Sequence, residues 1–245
     1  GRNKGAIADH FDYSYELQDI LHSKNKKREL EVTSKWLPEA GNVIFTRQRQ
    51  PLGLGHAVWC ARNMIGDEPF AVILADDLVL SKTPCLKQMV EQYNDCGGNI
   101  LGVMDIPKAD TMKYGIVDID TKATKPDAKL VKARGLVEKP APEDAPSTLS
   151  IIGRYILQPE VMDVLERQKA GAGGEIQLTD AIASMIGKEN NNVYGYRYDG
   201  VRYDCGGLTG FVAANVAFAL EREDVRDKLV KQLSGVFERA GVKKI

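Results

Sequence analysis

The chain has almost no excess of charge of either sign. Its 245 residues include 33 Lys and Arg against 34 Asp and Glu, so the formal net charge is −1. Proteins that bind nucleic acid or anionic membranes usually carry a basic surface, and this composition does not provide one. We therefore expect no nucleic-acid partner and no membrane partner, and an anionic ligand must be bound by a local site.

Long apolar runs and closely spaced cysteines are missing as well. No run approaches the roughly 20 apolar residues that a helix needs to span a bilayer, and no charged-then-apolar leader is found. The four cysteines stand far apart, at positions 60, 85, 96 and 205, which fits neither a zinc site nor a disulfide framework. Such cysteine usage suits a reducing compartment, so we expect a cytoplasmic protein.

The first half of the sequence does contain an alternation of strand and helix patterns. After a stretch at 5–30 that is typical of a helix running into a charged surface segment, short apolar runs typical of buried strands alternate with segments typical of helices. The strand patterns lie at 42–46, 70–74 and 99–104, and the helix patterns between them at 55–64 and 84–95. This order predicts a Rossmann-like α/β fold, in which a mixed, mostly parallel sheet carries helices on both faces.

The pattern changes after residue 105. Three shorter strand patterns, separated by loops rich in Pro, Asp and Lys, predict a small antiparallel region at one edge of the sheet. These patterns lie at 116–119, 130–138 and 150–157. They are followed by helix patterns at about 159–168 and 176–187, a strand at 193–198 and closing helices at about 208–239. Because composition does not shift sharply, we predict one domain over 1–245, with 208–245 as a possible oligomer contact.

A glycine-containing segment follows the first predicted strand and opens a helix. Gly53 and Gly55 would let the backbone approach a ligand at the carboxyl end of the sheet, where open α/β sheets bind their ligands. Gln48 offers a donor and an acceptor that match the edge of a pyrimidine base. A plain turn before a helix explains the two glycines equally well, and we expect His56 to pack at the helix start.

Two carboxylates stand directly after the apolar run at 70–74. Asp76 and Asp77 would place anionic oxygens at the ligand-binding edge of the sheet, and Mg²⁺ is usually bound by one or two carboxylates plus substrate phosphates. Side chains alternate along a strand, so only one of the two should face the ion. The other interpretation is a solvated strand end.

Two further segments carry charged residues near predicted strand ends. Glu138 and Lys139 precede Pro140, which favours an extended backbone with the two side chains on opposite sides. The two residues either bind a sugar and a phosphate or form a surface ion pair. Asp204 could face a metal ion or could cap the helix that follows it. We interpret Cys205 as a structural thiol.

Eight segments, in the same order along the chain, resemble the sugar-nucleotidyltransferase family and within it the bacterial UTP–glucose-1-phosphate uridylyltransferases (UDP-glucose pyrophosphorylases). They cover essentially the whole chain. The segments are HFD at 10–12, GLGHAV at 53–58, AVILADD at 71–77, YGIVD at 114–118, VEKP at 137–140, IIGRYIL at 151–157, GAGGEIQLTDAI at 171–182 and DCG at 204–206.

The resemblance implies the nucleotide-diphospho-sugar transferase fold and a role for each matching residue. Gln48 and Gly53 match residues that recognise uracil, and Asp76 matches the family's Mg²⁺ ligand. The remaining matches concern the glucose ring, its phosphate and a second carboxylate at the metal site. Gly115 and Glu138 match contacts to glucose hydroxyls, Lys139 matches a contact to the sugar phosphate, Glu175 lies near the sugar pocket, and Asp204 aligns with the second aspartate of related thymidylyltransferases.

The implied reaction joins UTP and glucose 1-phosphate into UDP-glucose and pyrophosphate with Mg²⁺ as cofactor, in a homodimer or homotetramer. Alternatives are a thymidylyltransferase acting on dTTP or another sugar 1-phosphate, and a glycosyltransferase. Family members begin with a strand and a glycine-rich loop that grips the triphosphate, and the chain shows no matching segment. An inactive nucleotide-sugar-binding fragment is therefore a further alternative.

Overall fold

A computed structural model describes residues 4–188 and 191–241. Five helices precede the first strand, and strands and helices are interspersed from β1 onward. In chain order they are α1 (Gly5–His10), α2 (Tyr15–Ser23), α3 (Lys27–Ser34), α4 (Leu54–Trp59), α5 (Arg62–Ile65), β1 (Phe70–Ile73), β2 (Asp77–Leu80), α6 (Cys85–Cys96), β3 (Asn99–Asp105), β4 (Gly115–Ile119), β5 (Leu130–Glu138), β6 (Leu149–Leu157), α7 (Val161–Arg167), α8 (Leu178–Ala183), β7 (Val193–Arg197), β8 (Val201–Asp204), α9 (Leu208–Leu220) and α10 (Glu223–Arg239). Within these residues no helix is both long and apolar enough to cross a bilayer.

Six strands form one mixed sheet in the order β1-β6-β3-β7-β5-β4. Strands β1, β3, β7 and β4 point in one direction, although only the neighbours β3 and β7 are paired in parallel. The α/β class and the mixed sheet are thereby confirmed. A single bridge between Ile116 and Ser150 joins β4 to β6 and curls the β4–β5 edge back toward the centre of the sheet.

The position of β6 differs from the predicted edge. β6 lies between β1 and β3 and runs antiparallel to both. All nine of its residues are buried, which is possible only for a strand with neighbours on both sides and cover on both faces. The pair β4–β5 does form an antiparallel edge, so the prediction is right for those strands and wrong for β6.

The core consists of two clusters on opposite faces of the sheet. Leu101 and Tyr155 pack with α4, α7 and α8 on one face. Their chain neighbours Ile100 and Ile156 pack with Met89 of α6 on the other. Side chains alternate along a strand, so neighbouring residues contribute to different clusters. Helices on both faces were predicted, and this prediction is confirmed.

A separate two-stranded ribbon, β2 paired with β8, was not predicted. The two strands are antiparallel, and Asp77 lies directly opposite Asp204. Each strand has only four residues and mixes polar with apolar side chains, so neither shows a periodic pattern of its own. The ribbon joins two chain segments that are far apart in sequence.

Three sequence predictions for the first 75 residues are wrong in part. The stretch 5–30 is divided among α1, α2 and α3, and Asn25, at φ +53°, ends α2 with a left-handed residue. No described strand pairs with 42–46, and Ile44 is 65% exposed, because an apolar run without a hydrogen-bonding neighbour cannot form a sheet strand. β1 is a strand, but it lies at the sheet edge and Ile73 is exposed.

Candidate active site

A cleft of about 210 Å³ opens where β1 ends, between the main sheet and the β2–β8 ribbon. Residues from eight helices and strands or their ends line it, and four of these residues were predicted from the sequence as site residues. Those four are Asp76, Gly115, Glu138 and Asp204. Gly53 and Glu175 do not line the cleft, but Leu54, next to Gly53, and Gln177, two residues after Glu175, do.

The turn that carries the two aspartates is held rigidly by buried polar contacts. Asp77 is buried, and its Oδ2 accepts a hydrogen bond of 2.8 Å from the backbone N–H of Gly153. The Arg154 guanidinium donates to the carbonyl oxygens of Leu74 and Asp77. Because β6 is buried along its whole length and is paired on both sides, these bonds fix the turn to a well-constrained part of the sheet.

Asp76 and Asp77 have different surroundings, as strand alternation predicts. Asp77 Oδ1 accepts a hydrogen bond of 2.6 Å from Arg202 Nε, and both side chains are almost fully buried, with 6% and 11% exposure. Asp76 is exposed and faces the cleft. Asp77 therefore stabilises the structure, and Asp76 remains available to a ligand.

The ribbon brings Asp204 to the same side of the cleft as Asp76. The N–H of Cys205 donates to the carbonyl of Asp76 at 2.7 Å. A Cβ placed on Gly206 would lie 3.1 Å from Asp204 Oδ1 and 3.6 Å from Asp76 Oδ2, so both carboxylates converge on this glycine. The capping alternative is wrong, since the N-cap of α9 is Gly207 and Asp204 Oδ1 accepts from Gly206 N instead.

These two carboxylates suit Mg²⁺ in its usual mode of binding. Within the described part of the chain, no group of three or more His, Cys, Asp or Glu side chains is arranged to hold a metal ion. Mg²⁺ commonly takes one or two protein carboxylates and completes its shell with water and substrate phosphates. The accessible oxygens of Asp76 and Asp204 therefore fit such an ion.

Glu138 and Gly115 lie together on the opposite wall. They are paired across β4 and β5, and a Cβ on Gly115 would lie 3.2 Å from Glu138 Oε2 and 2.9 Å from Thr179 Oγ1. A larger residue at position 115 would occupy the space between these oxygens. Glycine thus leaves the backbone accessible beside a carboxylate and a hydroxyl.

Lys139 does not project away from Glu138, contrary to the prediction. Its Nζ lies 3.5 Å from Glu138 Oε1. Lys139 has φ +48°, a left-handed conformation that is uncommon outside glycine and that interrupts the extended backbone expected before Pro140. The lysine side chain is 52% exposed, so the ammonium group can reach a ligand at the rim of the cleft.

The predicted base-recognition residues form a second cluster at the start of α4. Gly53 has φ +97°, and a Cβ there would lie 2.8 Å from the Cβ of Glu175, so only glycine fits. Gln48 Nε2 donates to Gly53 O at 2.9 Å and lies 3.1 Å from His56 Nδ1. His56 stacks on Trp59, which confirms its prediction as a packing residue.

Sequence reasoning missed Arg202, which connects several parts of the site. Besides Asp77, it donates to Tyr114 Oη at 3.1 Å and to Asp204 Oδ2 at 3.2 Å. Burial disfavours its charge, but the hydrogen bonds to Asp77 and Tyr114 outweigh burial and hold the pKa of Arg202 above its ordinary value. Its position two residues before Asp204, on the same strand face, is the signal that could have identified it.

Residues 14–220 match the profile of a family described as nucleotidyl transferase, and this range contains every predicted site residue. The chain belongs to the nucleotidyl transferase family. Among curated family members, it is 44% identical over 239 residues to the UTP–glucose-1-phosphate uridylyltransferase of Bacillus subtilis (strain 168), covering 98% of this chain and 80% of that protein. The enzyme of the same name from Staphylococcus haemolyticus (strain JCSC1435) is 44% identical over 231 residues, covering 94% and 78%.

Solved structures of nucleotidyl transferases agree with this assignment. A UDP-glucose pyrophosphorylase complexed with UDP-glucose is 37% identical and superimposes with a TM-score of 0.78 over 91% of this chain and 79% of that one. A UTP-bound enzyme from Acinetobacter baumannii gives 37% identity and a TM-score of 0.82 over 95% and 79%. A putative glucose-1-phosphate thymidylyltransferase from Bacillus anthracis, at 19% identity and a TM-score of 0.57 over 71% and 64%, shares the fold.

The Asp77–Arg202 pair should contribute strongly to stability. We expect Asp77→Asn to lower the free energy of unfolding by about 3–5 kcal/mol, because it leaves a buried guanidinium without its main partner. The matched control is Asp199→Asn, which breaks the exposed Lys129–Asp199 pair and should cost less than about 1 kcal/mol. Chemical denaturation of both variants measures the difference, and equal losses would contradict a structural role for Asp77.

Proposed function

We propose that the chain catalyses the transfer of a uridylyl group from UTP to glucose 1-phosphate, giving UDP-glucose and pyrophosphate. The convergence of Asp76 and Asp204 in one cleft with Glu138 carries this proposal, in a chain 44% identical to a curated uridylyltransferase over nearly its whole length. Its relatives are named for UTP and glucose 1-phosphate, and the solved structures that resemble it include complexes with UDP-glucose and with UTP.

The reaction needs positioning and charge neutralisation. A phosphate oxygen of glucose 1-phosphate attacks the α-phosphorus of UTP, the bond from that phosphorus to the bridging oxygen breaks, and pyrophosphate leaves. No protein nucleophile is required. Two polyanions must be held in line, so most of the rate enhancement comes from binding and electrostatics. We assign the sugar phosphate to Lys139, whose exposed ammonium group can exchange Glu138 for a phosphate oxygen.

We infer that Asp76 and Asp204 hold Mg²⁺, as the accessible carboxylate oxygens permit. When bound, the ion neutralises phosphate charge and so lets the two substrates approach each other. Arg202 keeps Asp204 in place through its bond to Oδ2, and the backbone bond from Cys205 to Asp76 keeps the two carboxylates on neighbouring chain segments.

The remaining predicted residues receive binding roles under this proposal. Gln48 and Gly53, bonded to each other at the start of α4, contact the uracil base. Gly115 and Glu138 contact glucose hydroxyls, and Glu175 supports the segment between the two clusters through its contact with Gly53. The four free cysteines agree with a cytoplasmic location, and one domain over 1–245 stays a prediction.

A thymidylyltransferase acting on dTTP or another sugar 1-phosphate is the second candidate, since the same fold occurs in a protein of that name. We expect UTP to exceed dTTP in kcat/KM by about tenfold or more, because dTTP adds a 5-methyl group to the base and lacks the ribose 2′-hydroxyl, and one methyl group in a packed pocket is by itself worth roughly 10- to 200-fold. Pyrophosphate release, measured across nucleotides and sugar phosphates, tests this. A preference for dTTP supports the second candidate, and UDP-glucose binding without turnover supports an inactive fragment.

Asp76 should be essential for turnover and dispensable for stability. We expect Asp76→Asn to lower kcat/KM by about 100-fold or more, since it removes an anionic oxygen from the proposed Mg²⁺ site. The melting temperature should stay unchanged because the side chain is exposed. Asp199→Asn, an exposed carboxylate outside the cleft, is the control, and Asp204→Asn should raise the Mg²⁺ concentration needed for half-maximal rate. Near wild-type turnover in Asp76→Asn would remove the metal role.

We propose that helix α9 forms a contact between copies of the chain in a homodimer or homotetramer. The helix is apolar all round, yet only Ala214 is buried, and Leu208, Phe211 and Val212 are exposed. A helix without a polar face is normally covered by other protein. An isologous contact would cover α9 from both subunits at once.

A charge on this face should therefore dissociate the oligomer. We expect Phe211→Glu to convert the wild-type dimer or tetramer into a smaller species in size-exclusion chromatography with light scattering. Val32→Glu places the same charge on an exposed apolar residue of α3 and should leave the mass unchanged. A monomeric wild-type protein would show the proposal to be wrong.

A further inference from the structure

Gly210, in the first turn of α9, packs directly against the backbone of Asp204. The carbonyl oxygen of Asp204 lies where a Cβ on Gly210 would stand, and the carbonyl carbon lies 2.8 Å from that position. No other glycine within residues 4–188 and 191–241 is approached as closely by a neighbouring atom. The start of α9 is therefore in contact with the residue whose carboxylate faces the cleft.

The backbone conformation of Gly210 does not require a glycine. Its φ lies outside the left-handed region, in contrast to that of Gly53. Glycine also destabilises a helix relative to alanine, because it loses more conformational freedom on folding. The presence of glycine at this position is therefore explained by the space that it leaves for the Asp204 carbonyl group.

The side chain of Asp204 is held by two further contacts. Its Oδ1 accepts a hydrogen bond of 3.0 Å from the backbone N–H of Gly206, and its Oδ2 accepts one of 3.2 Å from Arg202. Together with the close packing on Gly210, these contacts fix both the backbone and the carboxylate of Asp204. A Cβ on Gly210 would have to displace backbone atoms, which cannot rotate away as the end of a side chain can.

The position of Asp204 relative to Asp76 matters for the choice of cation. The two carboxylates converge on Gly206, where a Cβ would lie 3.1 Å from Asp204 Oδ1 and 3.6 Å from Asp76 Oδ2. Mg²⁺ requires nearly octahedral ligands at about 2.0–2.1 Å, whereas Ca²⁺ accepts longer and more variable bonds. A small displacement of one carboxylate therefore weakens Mg²⁺ binding more than Ca²⁺ binding.

We propose that Gly210 is a positioning residue of the metal site. By admitting the Asp204 carbonyl group against α9, it sets the place of the Asp204 carboxylate relative to Asp76, and so the preference of the site for Mg²⁺ over larger cations. The inference rests on the proposed metal role of the two carboxylates and extends that role to a residue outside the cleft.

The test measures Mn²⁺ binding to the protein alone by electron paramagnetic resonance, with Mg²⁺ and Ca²⁺ as competitors. We expect Gly210→Ala to weaken Mg²⁺ binding by about tenfold or more, as changes to groups that orient metal ligands usually do, and Ca²⁺ binding by less than about threefold. Gly235→Ala is the matched control, since Gly235 lies within α10 and a Cβ there would meet only the end of the Arg239 side chain, at 3.5 Å. The control should leave both affinities unchanged.

A double-mutant cycle shows whether Gly210 acts through Asp204. Asp204→Asn alone should weaken Mg²⁺ binding, and adding Gly210→Ala to it should have little further effect, because the carboxylate that Gly210 positions is already lost. Phe218→Leu provides a second variant without a backbone clash. Phe218 holds α9 on β8 through its ring contact with Tyr203, with the centroids 6.2 Å apart, so its loss should lower the ratio of Mg²⁺ to Ca²⁺ affinity in the same direction.

Thermal denaturation establishes that each variant is folded. An unchanged ratio of Mg²⁺ to Ca²⁺ affinity in folded Gly210→Ala, or in Phe218→Leu if Gly210→Ala does not fold, would overturn the proposal. So would a full additional loss in the Asp204→Asn background, or wild-type protein that binds no Mn²⁺. Because the measurement needs no nucleotide, protein that shows the expected metal binding but releases no pyrophosphate from UTP would refute the reaction alone.

Discussion

The buried ion pair between Asp77 and Arg202 is the constraint on which the site depends. Asp77 links the end of β1 to the buried strand β6 through Gly153, and Arg202 links the same carboxylate to Tyr114 and Asp204. Through its bonds to Gly153 and Tyr114, this charge pair fixes the β2–β8 ribbon to the main sheet. Since Asp76 precedes Asp77 directly and Asp204 lies opposite it, the positions of both accessible carboxylates follow from this pair.

Neighbouring strand residues have different roles, one structural and one in the site, because successive side chains face opposite sides of the strand. Asp77 is buried and bonded, whereas Asp76 faces the cleft. On β6, Arg154 turns to the carbonyl oxygens of the 74–77 turn, whereas Tyr155 joins the core cluster beneath the cleft and lines the cleft itself. Rigid polar contacts thus surround groups that are left open, which is the arrangement that binding a polar substrate requires.

Much of the fold and part of the site could be predicted from the sequence. Apolar runs and amphipathic segments of sufficient length predicted β1, strands β3 to β7 and the helices α6 to α10, and the acidic pair at 76–77 marked the site. The β2–β8 ribbon was not predicted, because each of its strands has only four residues of mixed polarity and shows no hydrophobic periodicity. The strand predicted at 42–46 failed because an apolar run forms a strand only beside a hydrogen-bonding neighbour, and no described strand occupies that place.

By itself, the sequence determined the α/β class, the absence of a basic field for nucleic acid, and the residue types from which the cleft is built, because these follow from composition, periodicity and short motifs. The tertiary structure alone decided which aspartate is buried, that Asp204 meets Asp76, and that Lys139 folds back onto Glu138. Those outcomes depend on pairings between segments far apart in the sequence, such as Asp77 with Arg202, 125 residues apart, and such pairings are not encoded in local pattern.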